Sequence, residues 1–433
     1  MASPAIAAGW DQAEAATKSL PSLVAPPTPS ATDVPPQPVA DAQGYASESG
    51  GLTLHEAVSR ALRFSPALEA ASIEINARRS EALQAGLRPN PVLGGDVQNV
   101  GQDVQESTIE LSQVILLGGK RLKRVRAAEL DVGVAAWDYE AARLRVASNT
   151  AEAFVDVLAS QERIKILAEL GDVASKLSQA VGERVKAGSV SPVELTRTEI
   201  EVERAQGQLE EEKAVLTVAK RRLANNWGAS STSFVSAKGE LRTVNHIPSA
   251  DQLSALLDAN PDVARWTAEI ARREALWNLA RAQRIPDLTI GAGARNVRDA
   301  DETGAIVSLS IPLPVFDRNQ GNIEAAQTRI FKGRREGLAA KIDVTGVLLD
   351  AYGRLLASSQ RLKTLETQIL PKAKEVYDAT VGGYTSGKFD FLSVLDAQRT
   401  LFATRLDIVN ARAEFQKAKV QIEALIGRGL YDL

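Results

Sequence analysis

Five apolar residues spaced by seven, Leu195, Val202, Leu209, Leu216 and Leu223, recur later in the chain as Val394, Leu401, Ile408, Phe415 and Ile422. Every partner is displaced by 394 − 195 = 199 residues. A second anchor agrees. Ser65-Pro66, leading into a helical stretch that ends near Pro91, is matched by Asn260-Pro261, leading into one that ends near Pro286, at a displacement of 260 − 65 = 195. The few residues between the two displacements mark an insertion or deletion inside the repeat. Solenoid units run to about 20 to 50 residues, so a duplication this long means that a half-molecule was copied once. Each half is therefore predicted to hold the same elements in the same order.

Composition narrows the options. The chain has 433 residues, 44% of them apolar but only 5% aromatic, which leaves room for two or more domains while arguing against large compact cores. It has no Cys, so disulfides, thiolate metal ligands and a lipid on an N-terminal Cys are not expected. A net charge of −3 argues against nucleic acid as a partner. No apolar run is long enough for a membrane-spanning helix. The start, MASPAIAAGWDQ, lacks the basic flank and apolar stretch of a secretory signal, which leaves either a removed signal or a cytosolic protein. Residues 1–50, rich in Pro, Ala and Ser, read as a flexible arm, the alternatives being a strap over neighbouring elements or a plain linker. The predicted order is that arm, repeat 1 over 51–228, a connection over 229–249 crossing near mid-length, repeat 2 over 250–428, and a tail at 429–433.

Within repeat 1, Thr53 is placed to cap a helix that breaks at Ser65-Pro66 and resumes to about Leu87. Pro89-Asn90-Pro91 stops it, and from Val92 the pattern alternates. A strand of about ten residues, a polar turn and a second strand to Ile115 make a hairpin inside a helical protein. From Lys120 to Lys186 there is no Pro, and Leu130, Val134, Trp137, Ala141, Leu144, Ala151, Val155 and Leu158 form a coiled-coil seam. A helix of this length reaches on the order of 100 Å. Gly188 to Pro192 turns the chain, with Ser191 as N-cap and Pro192 at the first helical position, and the helix returns to Trp227-Gly228. Repeat 2 follows suit. A hairpin spans about 287–311, and a long helix carries Leu348, Leu355, Leu362, Ile369 and Val376 at sevens with a kink at Pro371. A turn at Ser386-Gly387-Lys388 leads into the last helix.

Strands of about ten residues span a bilayer when tilted. Leu93, Val97, Ile109, Leu111, Leu288, Ile290, Ala292, Val307, Leu309 and Ile311 fall on a face suited to lipid; Asp96, Gln98, Glu110, Ser112, Ser308 and Ser310 fall on one suited to water. Four strands cannot close, whereas eight in a dimer or twelve in a trimer can. The plainer alternative is a small soluble sheet capping a helical bundle.

Pro89-Asn90-Pro91-Val92-Leu93, Leu111-Ser112-Gln113, Leu117-Gly118-Gly119-Lys120-Arg121, Tyr384-Thr385-Ser386-Gly387 and Val394 to Thr400 resemble, in that order, the TolC family of outer-membrane efflux proteins. The first and third look most like its CzcC-type branch, associated with cobalt, zinc and cadmium efflux. The resemblance covers about residues 52–428. It implies a mainly helical chain with transmembrane β-structure, three copies of which form a 12-stranded outer-membrane barrel continuous with a periplasmic α-helical barrel. Such proteins resemble a passive exit duct, joined by a periplasmic adaptor to an inner-membrane pump of the resistance-nodulation-division type, with outer-membrane lipid around the strands.

The same resemblance puts the helical turns at the periplasmic end, so Gly188, Ser191, Pro192, Gly387 and Lys388 are candidate adaptor contacts; the plainer reading of the glycines is that tight turns need them. Family members close this end through polar links and rings of carboxylates. The matching positions are Glu194 and Tyr384 for a link and Asp396 for a ring, while Ser393 and Phe389 depart from the pattern. No catalytic or cofactor motif emerges: His55 and His246 stand in unrelated surroundings, and Gly118-Gly119-Lys120 lacks the rest of a P-loop. With two His, one Met and no Cys, no dedicated soft-metal site is expected. The rival reading from another class is a soluble coiled-coil scaffold or periplasmic adaptor.

Overall fold

The computed structural model describes residues 51–101, 105–232, 234–241, 247–298 and 300–429. The Pro-rich arm and His246 lie outside the described residues. In chain order the elements are β1 (Leu52–Thr53), α1 (Leu54–Phe64), α2 (Pro66–Ala85), β2 (Val92–Gln98), β3 (Glu106–Ile115), α3 (Lys120–Lys186) and α4 (Pro192–Asn225). The second half adds β4 (Ala237–Lys238), α5 (Ala250–Ser254), α6 (Pro261–Gln283), β5 (Leu288–Val297), β6 (Glu302–Ser310), α7 (Gln320–Thr364), α8 (Leu370–Thr385) and α9 (Phe391–Ile426). Two compact units result, and each draws on both repeats: residues 70–141 and 261–343 form one, the remaining described residues the other.

In the unit without the hairpins, Thr53 caps α1 through a full capping box, its hydroxyl accepting from the Glu56 N–H and its own N–H donating to the Glu56 carboxylate. The connection after α4 contributes β4, which pairs in parallel with β1. Sequence patterning misses this two-residue ladder, because a bridge so short has no period to detect. Gln161 on α3 holds it, exchanging hydrogen bonds with the backbone of Ala237 at 2.9 and 2.8 Å. The main core lies along α9, where Phe415, Ala418 and Ile422 pack with Leu348 and Leu355 of α7 and Leu253 of α5.

The heptads predicted across α7 and α8 need a correction. Leu348, Leu355 and Leu362 are buried, but Ile369 and Val376 are 40% and 53% exposed. A π-helical turn, Leu365–Ile369, stands immediately before Pro371. Pro371 has no N–H to continue the i→i−4 ladder, and the wider turn accommodates this by inserting one residue. The inward register then moves to half-buried Leu370 and Tyr377 and buried Tyr384, eight residues after Leu362 and seven apart thereafter, with Leu365 and Ala373 buried beside them.

In the other unit the strands form one antiparallel sheet in the order β2-β3-β5-β6. The strand predicted from Val92 is shorter than the ten residues expected, ending at Gln98 after seven. Register separates the faces cleanly. Leu93, Leu111, Ala292 and Val307 align across the sheet on one face, and Val92, Ser112, Gly291 and Ser308 align on the other. The first face is bare: Val307 is 86%, Leu93 72% and Ile109 64% exposed. No described residue pairs with the outer edge of β2 or of β6.

Candidate functional site

The turns that join α3 to α4 and α8 to α9 close through the same pair of backbone hydrogen bonds. The N–H groups of Ser189 and Gly188 donate to the carbonyls of Arg184 and Val185, both at 2.9 Å. Displaced by 199, Lys388 and Gly387 donate to Gly383 and Tyr384 at 2.7 and 3.1 Å. Gly188 (φ 70°) and Gly387 (φ 75°) take the left-handed conformation that ends a helix this way. The helix starts correspond as well. The Ser191 hydroxyl accepts from the Val193 N–H at 3.2 Å ahead of Pro192, and the Asp390 carboxylate accepts from the Ser393 N–H at 3.0 Å.

Both turns meet one apolar cluster, Val181, Tyr384, Phe391, Val394 and Leu395, flanked by Val190 and Leu195. Tyr384 packs edge-on against Phe391, with ring centroids 6.3 Å apart. The Arg184 guanidinium lies 4.6 Å from the Tyr384 ring centroid, and its Nη1 donates to the Tyr384 carbonyl at 3.4 Å. The Tyr384 hydroxyl and Glu194 Oε2 are both buried without a hydrogen-bond partner. Burial raises the Tyr384 phenol above its ordinary pKa; the nearby Glu194 charge adds to the rise and Arg184 opposes it. A cation, a carboxylate and a phenol thus share one apolar site with hydrogen-bonding capacity unspent.

Among the sequence-derived candidates, Glu194 and Tyr384 are brought together, and Gly188, Ser191, Pro192, Gly387 and Lys388 form the exposed turns beside them. Asp396 stands apart, exposed, with no hydrogen bond or ion pair to a described residue. Phe389 folds against Gly383, where an added Cβ would collide with its ring. Sequence reading overlooks Arg184. Its counterpart 199 residues on is Gly383, and this loss of charge between two otherwise matched turns is the signal that could have found it.

The Leu117-Gly118-Gly119-Lys120-Arg121 segment ties the hairpins together within their own unit. The Lys120 ammonium lies 2.7 Å from Asp287 Oδ1, which also accepts from the Leu117 N–H at 3.0 Å. Gly118, at φ 68°, leaves room for Ile285. Among the described residues no group of three His, Cys, Asp or Glu side chains is placed to hold a metal ion.

Residues 57–229 and 252–428 match the family described as outer membrane efflux protein, one segment for each repeat. The chain is 36% identical to the cobalt-zinc-cadmium resistance protein CzcC of Cupriavidus metallidurans over 88% of its own length and 91% of the relative's. It is 24% identical to the nickel-cobalt-cadmium resistance protein NccC of Alcaligenes xylosoxydans xylosoxydans over 70% of each chain. The structure of the outer membrane protein VceC from Vibrio cholerae superposes with a TM-score of 0.72 at 18% identity, covering 87% of this chain and 96% of that one. The chain belongs to the outer membrane efflux protein family, the TolC family of the sequence resemblance, and its fold is that of TolC-like outer-membrane channels. It is an outer-membrane protein of an efflux system, and members of the family are transport channels. The scaffold and cytosolic readings are set aside accordingly.

Proposed function

We propose that three copies of this chain close their sheets into a 12-stranded barrel and act as a passive, non-catalytic exit duct for heavy-metal cations. The observation that carries the proposal is a four-stranded sheet with two unpaired edges beside an exposed apolar face. In hydrocarbon every unpaired backbone group costs several kcal/mol, roughly, so the edges must meet those of neighbouring copies. The kinship with CzcC and NccC supports metal cations as cargo. A periplasmic adaptor would engage the two turns through Gly188, Ser191, Pro192, Gly387 and Lys388 and link the duct to an inner-membrane pump of the resistance-nodulation-division type.

Glu194 and Tyr384, with Arg184 between α3 and α8, act as a polar link that holds the turns in their resting arrangement. Three copies of Asp396 form a carboxylate ring at the aperture, drawing cations and repelling anions. The test is single-channel recording of the purified protein in planar bilayers. Asp396→Asn is expected to weaken block by divalent cations or lower cation selectivity, and an unchanged current would remove the ring from the account. Subunit mass in detergent checks the stoichiometry: a trimer is expected, and a detergent-free soluble dimer without conductance contradicts the duct.

A further inference from the structure

The sheet contains an arrangement that strand propensity does not explain. Gly291 and Gly293 sit within β5, where Gly weakens a strand and marks a close approach. Register places Glu110 of β3 opposite Gly94 and Gly293, on the polar face. Its carboxylate leans into the next row, over Gly291, where the Ser308 hydroxyl of β6 donates to Oε1. A Cβ on Gly291 would collide with that carboxylate and with the Ser308 hydroxyl, and one on Gly293 with the carbonyl of Ile109. The glycines make the space in which Glu110 is held.

The charges on this face are not equivalent. Glu106 is neutralised by Arg295 at 3.3 Å, and Asp96 accepts from the Gln98 amide at 2.7 Å. Glu110 makes no ion pair among the described residues: its direct neighbours across the sheet, Gly94 and Gly293, have no side chain, and Arg295, one row along on the same face, is paired with Glu106. The Glu110 carboxylate is thus held on the polar face by a neutral hydroxyl donor and not by an ion pair.

We propose that Glu110 sets the charge preference of the barrel lumen, its copies forming a ring of carboxylates that admits cations over anions. The proposal rests on the trimeric channel reading and adds a selectivity element separate from the helical turns. Because the chain has no Cys, Glu110→Cys creates a unique thiol at this position. In a potassium chloride gradient across a planar bilayer, the unmodified protein is expected to favour potassium. The Glu110→Cys variant is expected to lose that preference severalfold. A sulfonate-bearing methanethiosulfonate reagent should restore it on the same channels, and an ammonium-bearing one should lower it further. A permeability ratio that neither the substitution nor either reagent moves would overturn the proposal while leaving the channel intact. If the parent protein gives no conductance, the channel reading itself fails and the ring with it. Should the Cys variant not assemble, Ser308→Ala, which keeps the charge but frees the carboxylate, is expected to shift the ratio; an unshifted ratio counts against the ring.

Discussion

Helices α4 and α9 carry one register and meet different fates. All five α9 positions are buried, with Val394 at 1% and Phe415 and Ile422 at 0% exposure, whereas in α4 only Leu223 is buried and Leu195, Val202, Leu209 and Leu216 stay half-covered. Beside that half-covered stripe, Val193 and Ile200 are 60% and 52% exposed. A heptad register specifies which face of a helix needs cover, not which chain supplies it. The second copy is covered by its own chain, through α7 and α8. The first leaves its apolar face half-covered within one chain.

That contrast can be broken most sharply at one matched pair. Phe415→Ala empties a fully buried site and is expected to cost about 3–5 kcal/mol. Leu216→Ala, at the equivalent half-exposed position, should cost about 1 kcal/mol or less within one chain. Thermal melts of the helical circular dichroism signal would show the first effect, and subunit mass in dilute detergent would show whether the second appears as weakened assembly instead. Equal losses in both melts would mean that α4 is covered within its own chain.

A lysine pair comes next. Lys419 on α9 lies 3.4 Å from Glu423, both side chains being 2% exposed, while its counterpart Lys220 on α4 donates to the Val235 carbonyl at the surface. Lys419→Met should cost about 3 kcal/mol or more by leaving a buried carboxylate without this partner, and Lys419→Met with Glu423→Leu should recover much of it. Lys220→Met should leave the melt nearly unchanged. A double variant as unstable as the single would show that packing, not charge, holds the site.

The caps give the smallest difference and a dependence on pH. Ser191→Ala should cost about 1 kcal/mol at any pH. The hydroxyl and N–H of Ser393 hold the Asp390 carboxyl below its ordinary pKa, so the stability it contributes is present above the usual carboxylate range. It is lost as pH falls through the lowered value. Protection factors in the first turn of α9, taken relative to the intrinsic exchange rate at each pH, should therefore fall on acidification, while the first turn of α4 shows no matching step. Asp390→Asn, which still caps, should abolish the α9 step.

Much of this architecture is legible from residues alone, because its devices are local and periodic: the duplicated heptads, Thr53 and Ser191 as caps, Gly188 and Gly387 as left-handed helix ends, and the alternation that sorts Leu93 and Ile109 from Asp96 and Glu110. What escapes has no local period. The π turn before Pro371 moves the inward register by one residue, so Ile369 and Val376, which continue the count of seven, stay exposed while Leu370 and Tyr377 take the half-buried positions. Arg184 matters through an aromatic ring 200 positions away, and the seat of Glu110 over Gly291 exists only once β3 and β5 are in register.

The central claim, that copies of this chain close into a conducting outer-membrane duct, is tested most directly by single-channel recording of the purified full chain in planar bilayers. Discrete, reproducible conductance steps from detergent-purified trimers are the expected result. Trimers that insert and never conduct, or a protein that stays soluble and leaves the bilayer silent, would contradict it.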